Sequence, residues 1–220
     1  MEDTPQSPEP WSEKTNKGCS GCFMAFMVVF ICLYIVGFFL GPINPGVHKA
    51  RESASVQTAH LLGLCLYSYA NDHQGLYPDG TSSTEVFQQL LDGGYVTDPA
   101  VFYVEMDGKT RASTGHKLKP ENVCWDVTGG VSVKDDGQLP LVYLTGFRVT
   151  FAPGGGITPL EPFPPYVHFK KNDGLAVFYV NNSAAWLWGG DSPQMQHIFP
   201  PDFNAHGKTY RQLTPDGVLR

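Results

Sequence analysis

Seven histidines and 21 acidic residues supply the ingredients of a hydrolase. His168, His197 and His206 are candidate general bases, and Asp173, Asp191 and Asp202 are the acids that would orient them. A catalytic set also needs a nucleophile in a recognisable setting. No Gly-x-Ser-x-Gly, His-Glu-x-x-His or Walker loop occurs in the chain. The triplet Gly154-Gly155-Gly156 lacks the Lys-Ser/Thr that completes a phosphate loop. The sequence is therefore read as non-enzymatic, with no catalytic, cofactor-binding or metal residue assigned.

Two oxygen-rich turns, Asp135-Asp136-Gly137 and Asn172-Asp173-Gly174, have the donor type that calcium takes. The same residues are ordinary turn formers, and turn chemistry is the preferred reading of both. Cys19 and Cys22 form half of a zinc site with no second pair. Cys65 and Cys124 are left as a pair that an oxidising compartment would allow to join, if they lie close enough. Trp186 and Trp188 fall on one side of a strand. Covering a core is preferred for them over binding a glycan or partner.

Positioning elements begin with the run Cys22–Leu40, which carries no charge. About 20 apolar helical residues cross a bilayer, so residues 22–41 are expected to form a transmembrane helix. The preceding residues 1–21 are Pro-rich, polar and without apolar periodicity, which predicts a disordered tail rather than the basic start of a cleaved signal peptide. Lys14 and Lys17 on one side balance Lys49 and Arg51 on the other, so charge does not orient the span. The short tail makes an inside tail and an outside head the simpler arrangement. The net charge of −6 argues against a nucleic-acid partner.

Residues 42–73 are expected to form a helical stem, broken from the anchor by Gly41, Pro42 and Pro45. Within Gly46–Asp72, Ala54, Leu61, Cys65 and Tyr69 recur at near-helical spacing, with Leu62 and Leu66 beside them. Arg51, Ser55 and Thr58 supply polar positions. Residues 74–220 are expected to form an α+β head. Its short helix runs from Thr84 to Asp92, capped within Thr81–Ser83 and stopped by Gly93-Gly94. Strands are expected at Val123–Val127, at Leu139–Val149 with a break at Gly146, and in a hairpin from Leu175 to Trp188. Asn181-Asn182 suits a tight type I′ turn in that hairpin. Pro153–Gly156 and Pro162–Pro165 read as loops, and Phe199–Arg220 as irregular.

The stem and short helix also carry a family signature. Ala50-Arg51-Glu52, Leu61-Leu62-Gly63-Leu64 and the run from Tyr67 through Ala70-Asn71-Asp72 to Gly75-Leu76-Tyr77-Pro78 resemble the stem of type II secretion pseudopilin-like proteins. The resemblance is to the large planctomycete and verrucomicrobial group. Phe87–Phe102 resembles that group's second helix and its exit. His168 ahead of Gly174–Val180 resembles its C-terminal hairpin, with Asn181-Asn182 replacing Asp-Gly. His206 and Asp216-Gly217 have a similar spacing without the apolar strand.

The resemblance implies a pilin-like fold and a single-pass protein of the bacterial inner membrane, its head outside the cytoplasm. Its partners would be membrane lipid and other pilin-like subunits or secretion components. The role would be a minor subunit of a type II secretion or type IV-pilus-like assembly, with Ala54, Leu61, Leu62 and Cys65 forming the stem contact. The family's calcium-binding heads keep the calcium question open. Two positions depart from the pattern. Phe26, counted from Gly21, or Phe23, counted from Gly18, stands where processed pseudopilins carry a Glu, and Val104-Glu105-Met106 replaces the usual Cys-Pro-Ser. A membrane-anchored binding module that keeps the pilin-like shape without entering a filament is the alternative.

Overall fold

Proline fixes the first turn of a helix without losing a bond, and Pro45 opens helix α1, Pro45–Asp72. The computed structural model describes residues 24–33, 45–106, 108–159, 174–187, 198–199 and 201–219. Two compact units are present, Met1–Val47 and His48–Arg220. In the first, residues 24–33 are helical and every one is exposed. The tail 1–21, the rest of the 22–41 run and Gly41-Pro42 lie outside the described residues. Among the described residues no helix is long and apolar enough to cross a membrane.

The second unit is α+β. Helix α1 ends with Gly75 N bonded back to Ala70 O at 2.7 Å. Helix α2, Ser83–Asp92, starts where the side chain of Ser82 accepts from Glu85 N and stops at Gly93. It buries Val86, Phe87 and Leu90. Short 3-10 turns follow at Pro99–Phe102 and Pro120–Asn122.

The strands are β1 Trp125–Gly129, β2 Pro140–Leu144, β3 Phe147–Val149, β4 Ile157–Pro159, β5 Leu175–Tyr179, β6 Ala184–Leu187, β7 Arg211–Thr214 and β8 Gly217–Leu219. Six of them form one sheet in the order β6-β5-β2-β1-β7-β8, with every pairing antiparallel. β3 and β4 form a separate two-stranded ribbon. The expected break at Gly146 occurs, and its φ of 105° is a backbone state that favours glycine.

Helix α1 packs on the sheet through Ser55, Ala59, Leu62, Leu66 and Ala70, which are all buried. His60 meets the Phe178 ring edge-on at 5.7 Å. At Gly63 an added Cβ would come far inside van der Waals contact of the Phe178 ring carbons. A glycine inside a helix costs about 1 kcal/mol relative to alanine, and this close approach accounts for it.

Four expectations change. The apolar stripe expected to face a partner is not the side that α1 buries on the head: Ala54 and Leu61 are exposed, Cys65 and Tyr69 half-buried, and Ser55, expected as a polar position, is buried. With Ser55, Gln57, Thr58, His60 and Ser68 spread around the helix and Leu61 and Leu62 equally apolar, no periodic signal selects its inner side. The first strand begins at Trp125, two residues later than expected. The β5–β6 turn is not type I′. Asn182 N donates to Tyr179 O, and only Asn182 has positive φ, at 64°, so a three-residue loop with a left-handed third residue joins the strands. Finally, the stretch expected to be irregular contains the β7–β8 hairpin, whose Arg-Gln-Leu-Thr strand has too little apolar character to be seen by pattern.

Candidate functional site

The residues first considered for chemistry do not come together among the described residues. His206 is exposed at φ 50°, its backbone N donating to the Asn204 side chain, and Asp202 is exposed. His168, His197, Asp173 and Asp191 lie outside the described residues, as do Pro162–Pro165, Trp188, Cys19 and Cys22. Among the described residues no group of three His, Cys, Asp or Glu is placed to hold a metal ion.

The first calcium candidate is engaged in other bonds. Asp135 takes the Ser132 amide at 2.8 Å and the Lys208 ammonium at 2.6 Å, and Asp136 takes the Gln138 amide. A lysine on Asp135 supplies the charge that a cation would bring. Asn172 and Asp173 of the second candidate lie outside the described residues. Cys65 and Cys124 are both free thiols. Burial pushes the Cys124 thiol up to about 11, and its Sγ exchanges hydrogen bonds with Val104 N and O, each 3.3 Å. Burial also raises Cys65. Neither is an activated thiolate. Trp186 is half-buried on β6 and packs against the core opposite Ala176, as a core-covering role requires.

Two other features stand out. The first is the outer side of α1. From Ser53 to Asn71 the helix has no Asp, Glu, Lys or Arg. Its outward line is Ala54, Gln57, Leu61, Leu64 and Ser68, spaced alternately by three and four residues and all exposed. Leu61 and Leu64 are 49% and 41% exposed. Two of the helix's hydroxyls turn back on its own carbonyls: Thr58 donates to Ala54 O at 2.9 Å and Ser68 to Leu64 O at 3.0 Å. A hollow of about 190 Å³ beside it is lined by Leu61, Cys65, Tyr95, Val96 and Val101. Val96 and Thr97 also border an open cleft of about 670 Å³ that includes Asp92, His116 and Lys117.

The second is a polar cluster in the core. Asp126 on β1 is fully buried. Burial pushes its carboxyl up to about 7, while hydrogen bonds from Gln212 and Thr145 and the charge of Lys109 pull it the other way. Gln212 on β7 is a hub: Nε2 donates to Asp126 Oδ2 at 2.8 Å and to Phe147 O, and Oε1 accepts from Val149 N at 2.9 Å. These bonds tie the β3–β4 ribbon to the main sheet. Tyr143, opposite Asp126 on β2, is driven well above the ordinary phenol range by burial and by Asp126. Lys109 is buried, donates Nζ to Pro120 O at 2.8 Å and has its ammonium lowered by burial. None of Asp126, Gln212 and Lys109 was singled out from sequence. The single available hint is an acid inside the apolar run Val123–Val127.

No protein-family model, curated protein or solved structure matches this chain.

Proposed function

We propose that this chain is a membrane-anchored structural protein with no enzymatic role. It acts as a minor pseudopilin-like subunit of a type II secretion or type IV-pilus-like assembly, sits in the bacterial inner membrane and holds its pilin-like head outside the cytoplasm. The observation that carries this reading is the exposed, charge-free side of α1. A helix that faces only water normally places charges on its outer side. This one places Ala54, Leu61 and Leu64 there, as a helix does when a neighbouring helix covers it. The exposed helical residues 24–33 include Met24, Phe26, Phe30, Ile31 and Leu33 and contain no polar side chain, which suits lipid.

One observation favours a second reading. Phe23 or Phe26 occupies the position where processed pseudopilins carry a Glu. A permanent anchor bearing a pilin-like binding module, outside any filament, would need no such residue. Intact mass and N-terminal sequencing of protein taken from native membranes separate the two. Loss of residues up to Gly18 or Gly21, with an N-methylated new start, supports the filament subunit. A retained Met1 or Glu2 moves the anchored binding module ahead.

A further inference from the structure

The Asp126 cluster serves no part of the assembly reading and stands independently of it. A neutral carboxylic acid is content with few partners, whereas a buried carboxylate needs several donors. Asp126 Oδ1 is a buried oxygen without a partner within bonding distance among the described residues, Oδ2 is held by Gln212 Nε2, and Thr145 is the other side-chain donor that favours the ionised acid. Gln212 has nothing more to give. Its two amide protons go to Asp126 and Phe147 O, and its oxygen takes Val149 N.

We propose that Asp126 makes the β3–β4 ribbon a proton-controlled flap, docked on the main sheet while the carboxyl is neutral and released when it ionises. A charge on Asp126 must either draw Gln212 away from Phe147 or admit water beneath the ribbon. Both outcomes break the side-chain bonds that hold β3 to β7. Gly146, at its positive φ, joins the ribbon to β2 and is the natural pivot. At its far end the ribbon is seated by aromatic contacts of Phe151 with Phe199 and Tyr210, centroids 5.9 and 6.0 Å apart, and by Phe199 N on Gly155 O.

The charged and titratable groups acting on Asp126 are Lys109 from the loop before η-turn Pro120–Asn122, Asp216 from the β7–β8 turn and Tyr143 from β2. Cys124, which precedes β1, interacts with Lys109. Arg148 of β3 lies on the exposed side of the ribbon. Burial, the largest influence, and Asp216 keep Asp126 neutral, while Gln212, Thr145 and Lys109 favour the ionised acid.

The test is amide hydrogen exchange on the full chain in detergent micelles, at about pH 5 and about pH 8.5, corrected for intrinsic rates. The Val149 amide reports docking directly, because its acceptor is Gln212. Its protection should fall by about tenfold or more at the higher pH while that of β2 holds. Asp126→Asn, a neutral isostere, should keep Val149 protected at both. Equal protection of the wild type at both pH values, or the same fall in Asp126→Asn, overturns the proposal. Should Asp126→Asn not fold, the wild-type Asp126 carboxyl carbon decides by NMR. A titration midpoint coinciding with the loss of Val149 protection supports the flap. A carboxyl already ionised at about pH 5 overturns it.

Discussion

The inner and outer sides of α1 are alike in composition and opposite in circumstance. Both lack charge between Ser53 and Asn71. The inner side places Ser55, Ala59, Leu62, Gly63, Leu66 and Ala70 against the head, small residues alternating with leucines so that the helix approaches the Phe178 ring closely. The outer side repeats the recipe with Ala54, Gln57, Leu61, Leu64 and Ser68, all of which stay exposed. One helix thus carries two charge-free sides, of which the fold buries one. The difference explains why composition alone suggests a contact helix without saying which side makes which contact.

The largest effect should come from placing a charge on the inner side. Leu62→Asp puts a carboxylate where the native side chain has no exposure. It should destabilise the head by about 4 kcal/mol or more, read as a loss of cooperative thermal unfolding. Next comes the pH response of the polar core. The folded Asp126 carboxyl lies near 7 against an ordinary 3.8, so the native state holds a proton that the unfolded chain releases. Its contribution is full below the unfolded value and is lost as pH rises toward 7. Stability should fall by up to about 1.4 kcal/mol per pH unit across that window, and denaturant titrations of Asp126→Asn should not show that decline. Gly63→Ala gains about 1 kcal/mol of helix propensity but forces the Phe178 ring aside. A net loss of about 1 kcal/mol in a denaturant titration is expected, and a net gain would mean that the close approach is slack. The smallest effect on the isolated chain should be Leu64→Asp on the outer side, within about 0.5 kcal/mol of wild type.

The sequence makes the elements legible where local signals agree. Pro45 and the Asn71–Gly75 exit bracket α1, the Ser82 cap marks α2, and the apolar run Leu175–Tyr179 before Asn181-Asn182 marks β5. It hides what depends on tertiary partners. The rotation of α1 could not be chosen because Leu61 and Leu62 are equally apolar, and only Phe178 and its neighbours decide which turns inward. β7 was missed because Gln212 is polar by type yet buried by function: its amide closes the hydrogen bonds of Asp126, Phe147 and Val149, all distant in sequence. The same holds for Asp126, whose burial no local pattern announces. Of the four residues expected to form the stem contact, Ala54 and Leu61 are exposed, Cys65 is half-buried and Leu62 is buried. Ala54 and Leu61 therefore lie on the exposed side of α1 and Leu62 on the buried one.

The central claim is that this free side is covered by neighbours in the native assembly. The direct measurement is the particle mass of the mildly solubilised protein from native membranes, compared with Leu61→Asp/Leu64→Asp. The account predicts a wild-type particle heavier than one chain and a variant that falls to a single chain while its head keeps the wild-type melting temperature. A wild-type particle of one chain, or a variant particle of unchanged mass, would contradict it.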